Sequence, residues 1–157
     1  MIRQNAAGRM TAAVADVTAG RATVAEAAAA HDCDPGDLET MARVTVRAAV
    51  LERDGWRCAS CLRRTVDVRP RLRSAAPLPC ADPVIAFGMA NHVAACSGCA
   101  DLADRKRDES MHVRGFWLRR SQDPALVPIV VPNPSGPVRV WLLPDGGRSY
   151  SAGFPSC

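Results

Sequence analysis

The sequence predicts an α+β fold built from three segments, and three observations support this prediction. The first third of the chain is rich in alanine and has helix-capping residues at intervals typical of short helices. The middle contains two Cys-x-x-Cys pairs, and residues 126–143 form two apolar runs around a turn rich in proline and glycine. We therefore expect a helical module over residues 1–44, a four-cysteine module over residues 45–125, and a β-hairpin with a tail over residues 126–157.

Capping signals divide the N-terminal segment into three expected helices. The first covers about residues 9–19 and ends at a glycine. Thr23 precedes the second, Val24–His31, and a glutamate at the third helical position completes a capping box. Pro35 begins the third helix after a short turn, because proline is favoured at a first helical position, and this helix runs towards Glu52.

The second and third helices, with the tight turn between them, resemble a helix-turn-helix. A helix that reads DNA usually presents Arg, Lys, Asn or Gln to the base edges. The third helix instead opens with Gly36, Asp37, Leu38 and Glu39, and carboxylates repel phosphate. A small helical hairpin for packing or partner contact is therefore the favoured interpretation.

The composition suggests that something besides side-chain burial helps to hold the fold together. Of the 157 residues 48% are hydrophobic, but only 4% are aromatic, and alanine supplies much of the apolar total. Alanine buries little area, so a core of this size would be thin. No apolar run has the length of a membrane span and the N-terminus lacks a signal-peptide pattern, so we expect a cytoplasmic protein with no membrane partner.

The seven cysteines include one strong motif. Cys58 and Cys61 form one Cys-x-x-Cys pair, and Cys96 and Cys99 form another. Two such pairs supply the four thiolates of a closed tetrahedral site, which is typical of one structural zinc ion. The alternatives are a redox-active pair or buried free thiols, but a redox motif needs only one pair. The remaining cysteines have no partner at ligand spacing, and we expect free thiols at Cys33, Cys80 and Cys157.

Charge is distributed unevenly along the chain, whose formal net charge is +4. Residues 1–42 have an excess of carboxylates, whereas residues 43–73 contain nine arginines against three acidic residues. Residues 104–120 are also basic, with six basic side chains against three acidic ones. A basic middle of this kind favours a polyanionic partner.

Several short segments together resemble the zinc-knuckle HNH endonucleases of actinobacteria and their phages. The similarity begins at Leu51-Glu-Arg-Asp-Gly-Trp-Arg-Cys-Ala-Ser-Cys61, continues at Val66-Asp-Val68 and resumes at Ala90-Asn-His-Val-Ala-Ala-Cys96. It covers about residues 45–130. The resemblance implies a ββα-metal core of treble-clef-like form, in which Asn91 matches the middle residue of the HNH motif.

The departures from this family suggest that the active site is degenerate. The family uses one histidine as the general base and another to help hold a divalent metal. The first histidine position falls here on Arg69 or Pro70, and the last falls near Lys106. Arginine is always protonated at neutral pH, and none of these three side chains binds Mg²⁺. We therefore expect no catalytic magnesium, and the only weak catalytic candidates are Asp67, Asn91 and His92.

The resulting hypothesis is a catalytically inactive, regulatory HNH-like zinc protein of phage type that binds DNA mainly through the backbone phosphates. Two alternatives stay open. One is a protein-interaction module that docks on a host or phage enzyme, and the other is a residual metal-dependent nuclease that uses His92 and Asp67. The expected nucleic-acid contacts are Arg63, Arg64, Arg69, Arg71, Arg73, Arg105, Lys106 and Arg107.

Overall fold

A computed structural model describes residues 5–72, 82–105 and 109–150, apart from the side chain of Arg105. Within these ranges the chain is a mixed α/β protein with small antiparallel sheets and a cluster of cysteines. Its elements in chain order are α1 (Ala6–Thr18), α2 (Val24–His31), α3 (Pro35–Arg53), β1 (Val68–Pro70), α4 (Pro83–Phe87), a 3-10 turn (Met89–Asn91), β2 (His92–Ala94), α5 (Ser97–Arg105), α6 (Glu109–Val113), β3 (Ile129–Val131), β4 (Val138–Leu142) and β5 (Arg148–Ser149).

The helix starts follow the capping residues that the sequence contains. The hydroxyl oxygen of Thr23 accepts a hydrogen bond from the backbone N–H of Glu26, and the Glu26 carboxylate accepts from the backbone N–H and the hydroxyl of Thr23. The predicted capping box is therefore confirmed. Asp34 caps α3 by accepting from two backbone N–H groups next to Pro35. The first helix begins earlier than predicted, because Asn5 caps it at Ala6.

A first apolar core lies between the three N-terminal helices. Val17 from α1, Val24 from α2 and Leu38 from α3 are almost fully buried in it. Phe87 from α4 belongs to the same core, and Val68 packs against it from β1. The helical core is therefore completed by residues that come from the four-cysteine segment.

The predicted boundary at residue 44 falls inside α3, which runs without interruption from Pro35 to Arg53. The helix ends where Gly55 adopts a left-handed conformation and the N–H of Trp56 donates to the carbonyl of Leu51 at 2.8 Å. This single helix leads directly from the helical core into the first cysteine pair. The division of the chain into three domains stays a prediction.

The described residues contain two short antiparallel sheets. In the first, β1 pairs with β2 so that Val68 lies opposite Ala94 and Pro70 lies opposite His92. The second has the strand order β3-β4-β5, so the two strands predicted over residues 126–143 are present and a third strand, β5, is added. The helix predicted from residue 100 to about residue 114 corresponds to α5 and α6, between which residues 106–108 lie outside the described residues.

A second apolar core connects the first cysteine pair to the C-terminal sheet. Phe116, Ile129 and Leu142 are fully buried there and pack around Val93 of β2. Alanines fill much of the remaining space at Ala59, Ala90 and Ala103. Among the described residues, no helix has both the length and the apolar character needed to cross a membrane.

Candidate metal centre

The first cysteine pair lies on a tight turn directly after α3. The N–H of Cys58 donates to the carbonyl of Arg63, and the N–H of Leu62 donates to the carbonyl of Cys58, both at 2.8 Å. Leu62 has a φ of +63°, an uncommon conformation for a branched residue that lets the chain reverse within a few residues. This turn places the sulfur atoms of Cys58 and Cys61 on the same side of the chain.

The second pair lies at the junction of β2 and α5. Cys96 precedes Ser97, the first residue of the helix, and Cys99 lies in its first turn. The N–H of Ala100 donates to the carbonyl of Cys96 at 2.9 Å. The N–H of Ala59 donates to the carbonyl of Ala94 at 2.9 Å, and this bond holds the first turn against the end of β2.

The four sulfur atoms are close enough to hold one metal ion. They all lie within 4.8 Å of one another, and the Sγ atoms of Cys61 and Cys96 are 3.6 Å apart. A zinc–sulfur bond of about 2.3 Å places the sulfur atoms of a tetrahedral site about 3.8 Å apart, so the observed spacing fits such an ion. The four cysteines singled out from the sequence are therefore brought together.

The surroundings of the four thiols favour ionisation of Cys58 and oppose ionisation of Cys99. Burial opposes ionisation of Cys58, but hydrogen bonds from the backbone N–H groups of Cys96, Cys61 and Ser60 outweigh it and lower the pKa of Cys58 to about 7. Burial and the neighbouring thiols raise the pKa of Cys99 to about 12. A bound cation deprotonates coordinating thiols outright, so metal binding at this site releases protons.

Arg114 fastens the first turn to the C-terminal sheet. Its guanidinium donates to the hydroxyl of Ser60 at 3.1 Å and to the carbonyl of Ser60 at 2.9 Å. The same group reaches the carbonyl of Val130 and lies 5.3 Å above the ring of Phe116. Arg114 thus connects Ser60, which lies between Cys58 and Cys61, to the strand β3.

Two of the arginines expected to contact nucleic acid point into the protein instead. Arg69 is 8% exposed, and it donates to the carbonyl of Ala100 at 2.8 Å and to the carboxylate of Asp104 at 2.9 Å. Its alternating neighbour, Arg71, is 1% exposed. Burial removes both guanidinium groups from any surface that a duplex could reach, so neither Arg69 nor Arg71 is available for the expected contact.

Arg71 has an unusual set of partners. Its guanidinium donates to the carbonyls of Gly115, Ala90, Pro124 and Val127, at distances from 2.5 to 3.0 Å. Burial away from water lowers the pKa of Arg71 to about 9, and the nearby positive charge of Arg53 adds to this effect. The side chain, which directly follows β1, therefore connects the 3-10 turn to the loop between α6 and β3 through hydrogen bonds rather than through an ion pair.

The three weak catalytic candidates do not form one site. Asn91 is fully buried and bonds to the backbone of Leu72 and Ile85, so its amide positions backbone. The Nδ1–H of His92 donates to the carbonyl of Gly88 at 2.9 Å, and burial lowers the pKa of His92. Asp67 is exposed, and its backbone carbonyl accepts a hydrogen bond from the N–H of Ala95. Asp67 and Ala95 lie three residue pairs along the sheet from the pair formed by Pro70 and His92.

Exposed arginines surround the first cysteine pair. Arg57 and Arg64 form an isolated antiparallel bridge, Arg63 lies beside them, and Arg47 of α3 donates to the carbonyl of Val66 at 3.0 Å. We call these four residues the knuckle patch. Within the described ranges none of the four forms an ion pair. The other expected contacts, Arg73, Lys106, Arg107 and the side chain of Arg105, lie outside the described residues.

Sequence reasoning missed a buried ionic group beside the metal site. The carboxylate of Asp54 has no exposed surface, and it accepts from Arg53 at 2.7 Å, from Arg148 at 2.8 Å and from the N–H of Ala94 at 2.8 Å. Burial opposes the ionisation of Asp54, but the hydrogen bond and charge of Arg53 outweigh it and lower its pKa. No local pattern in the sequence marks this residue, because two of its three partners come from β2 and β5.

The remaining cysteines take no part in the cluster where they can be located. Cys33 is half-buried against the helical core, and burial raises the pKa of its thiol. Cys80 and Cys157 lie outside the described residues.

The chain was compared with protein-family models, curated proteins and solved structures. No protein-family model, curated protein or solved structure matches this chain.

Proposed function

We propose that this chain is a non-catalytic nucleic-acid-binding protein whose middle segment folds around one structural zinc ion. The observation that supports the proposal best is that three arginines of the knuckle patch, Arg57, Arg63 and Arg64, flank the turn that carries two of the four clustered thiols. The metal would hold the turn rigid, and the turn would present its arginines to a phosphate backbone.

Zinc is the ion that the donor set suits best. Four thiolates favour soft or borderline metals, and a closed tetrahedral arrangement leaves no position for a reacting water. A structural ion also fits the thin, alanine-rich core beside the site, because the free energy of metal binding adds to the free energy of folding.

The knuckle patch suits phosphate contact because its side chains are exposed and have no carboxylate partners among the described residues. Guanidinium groups bind phosphate in a bidentate manner and stay charged at all physiological pH values. Contacts of this kind are independent of base sequence, so we expect weak sequence preference and strong dependence on salt.

The positions of His92 and Asp67 support a role without cleavage. Pro70 lies opposite His92 in the sheet, and Asp67 lies three residues before Pro70, which is about 10 Å of strand. A nuclease of the HNH type needs its general base and its metal ligand on one phosphate. We therefore propose that the chain shares the fold and the nucleic-acid-binding surface of HNH proteins but does not cleave the phosphodiester bond.

A salt-titrated binding assay with a matched pair of variants tests the proposal. Fluorescence anisotropy of a labelled DNA duplex would be measured with the intact protein, with Arg63→Glu/Arg64→Glu and with Arg119→Glu/Arg120→Glu. Both double variants change the net charge equally, and both pairs of arginines are adjacent and exposed. We expect the first to weaken binding by at least about 10-fold at low salt and the second to change it little.

Three results would contradict the proposal. They are an absence of duplex binding at low salt, equal losses in the two double variants, and nicking of plasmid DNA in Mg²⁺ or Mn²⁺. The first would leave the protein-docking alternative, and the third would establish residual nuclease activity, which His92→Ala would then abolish. Metal content measured by mass spectrometry on the same preparation would show whether one zinc ion is bound per chain.

A further inference from the structure

A surface depression of about 450 Å³ lies between the end of α3, the strand β1 and the start of α5. Trp56, Arg64 and Asp67 line it together with the exposed side chain of Val66. The depression therefore combines an aromatic face, a cation and a carboxylate within one small surface beside the metal centre.

Trp56 is held in an exposed position by an unfavourable backbone conformation. Its φ is +58°, which is rare for a bulky residue, and the preceding Gly55 is also left-handed. Two backbone hydrogen bonds fix this geometry, from the N–H of Trp56 to Leu51 and from the N–H of Thr65 to Trp56. The residue is 46% exposed, so the strained backbone is not compensated by full burial of the ring in the core.

The two charged residues of the depression, Arg64 and Asp67, could contact the phosphate and the base of one nucleotide, respectively. Arg64 belongs to the knuckle patch and can contact a phosphate. The carboxylate of Asp67 only accepts hydrogen bonds when ionised, and it forms no hydrogen bond or ion pair within the described part of the chain. Because a carboxylate repels phosphate, its place beside the arginine fits a partner that offers N–H donors, such as the edge of a base.

We propose that this depression binds one unpaired base of a single-stranded nucleic acid, and that it prefers guanine. The base would stack on the ring of Trp56, and the neighbouring phosphate would contact Arg64. Among the four bases guanine presents two adjacent N–H donors on its pairing edge, and these match the two oxygens of Asp67. A paired base cannot use this edge, so the site distinguishes single strands from duplex. This inference rests on the proposed nucleic-acid function and names its preferred ligand.

The test uses the full chain and a labelled thymine oligonucleotide of about 12 nucleotides with one central guanine, beside the duplex of the same sequence. We expect the single strand to bind at least about 10-fold more tightly than the duplex. Trp56→Ala should weaken single-strand binding by about 5- to 150-fold, the range of one base–aromatic stack, and should leave duplex binding unchanged. Trp56→Phe should retain most of the affinity because it keeps an aromatic face.

Control variants separate stacking from general effects. Leu126→Ala removes another exposed apolar side chain, 55% exposed and outside the depression, and should change neither affinity. Zinc content and the thermal unfolding midpoint, measured for each variant, would show that Trp56→Ala is folded. Replacing the central guanine by thymine should weaken binding to the intact protein, and Asp67→Asn should abolish this difference without weakening the binding of the thymine oligonucleotide.

The outcomes distinguish this inference from the function on which it rests. Equal affinity for single strand and duplex, with equal losses in Trp56→Ala, would overturn the inference and leave the duplex-binding function in place. A single-strand preference without a guanine effect would overturn the role of Asp67. Failure of both ligands to bind at low salt would overturn the proposed function itself.

Discussion

The helical region around α1–α3 and the region around the cysteine cluster are held together by different interactions. In the helical region, apolar side chains such as Val17 and Leu38 are buried and capping residues satisfy the helix ends. In the cysteine region, many of the links are polar, because Arg71, Arg114 and Asp54 connect distant segments through hydrogen bonds. The contrast indicates that the first region depends mainly on apolar burial and helix caps, whereas the second depends strongly on hydrogen bonds between distant segments.

The largest expected effect is the loss of a metal ligand. Cys58→Ser should abolish stoichiometric zinc binding and unfold the cysteine region, because the binding free energy of a structural zinc site, about 10–16 kcal/mol, is of the order of the whole stability of a domain. Thermal unfolding and metal analysis would measure both effects. Cys33→Ser is the matched control, because Cys33 packs against the helical core and lies outside the four-cysteine cluster. This variant should still bind the metal. Full retention of structure in metal-free protein would contradict this prediction.

The next effect should come from the buried arginine. Arg71→Met keeps an unbranched side chain but leaves the carbonyls of Gly115, Ala90, Pro124 and Val127 without this donor. Because unsatisfied buried carbonyls are costly, we expect a loss of about 3–5 kcal/mol in the free energy of unfolding. Urea denaturation would measure the loss. A change below about 1 kcal/mol would mean that water replaces the guanidinium.

A smaller effect with a defined pH dependence is expected at Asp54. Asp54→Asn keeps the size of the side chain but removes the charge that Arg53 and Arg148 share, and should cost about 2–4 kcal/mol. The folded pKa of Asp54 lies below its usual value, so its contribution is complete above about pH 4 and is lost only as the pH falls further. The difference between variant and wild type should therefore be the same at pH 7 and pH 5. A difference that shrinks over this interval would show that Asp54 titrates higher.

The smallest effect is expected in the helical region. Thr23→Ala removes one half of the capping box at the start of α2 and should cost about 1 kcal/mol. A small shift of the thermal midpoint would measure it, and metal content should not change. Thr45→Ala offers a comparison, because this exposed threonine lies inside α3 and its hydroxyl bonds only to the carbonyl of Met41. An equal loss in both variants would show that the cap has no special role.

The sequence could predict much of the helical region, but it could predict few of the hydrogen bonds that connect distant segments of the cysteine region. Thr23, Asp34 and Pro35 act on residues within three positions of themselves, so their effects follow from local sequence. Arg71 was expected to contact nucleic acid, which requires an exposed side chain, because it lies in a basic stretch. Its actual partners lie 19 to 56 residues away, and no local pattern contains that information.

The same distinction applies to the candidate sites. The spacing of Cys58, Cys61, Cys96 and Cys99 identified the four thiols that cluster and could hold a metal ion, because each pair closes a local turn and four thiolates share one preferred geometry. The depression beside Trp56 could not be predicted, since it forms only where α3, β1 and α5 meet.

By itself the sequence determined the starts of α2 and α3, the identity of the clustered thiols and the basic character of the middle segment, since all three are set by residue type and short spacing. The tertiary structure decided which basic residues face solvent. It buried Arg69 and Arg71, left Arg57, Arg63 and Arg64 exposed, and placed Trp56 at the surface. The physical reason is that an arginine is stable wherever its donors find acceptors, in water or on buried carbonyls, and only the assembled chain shows where those carbonyls lie.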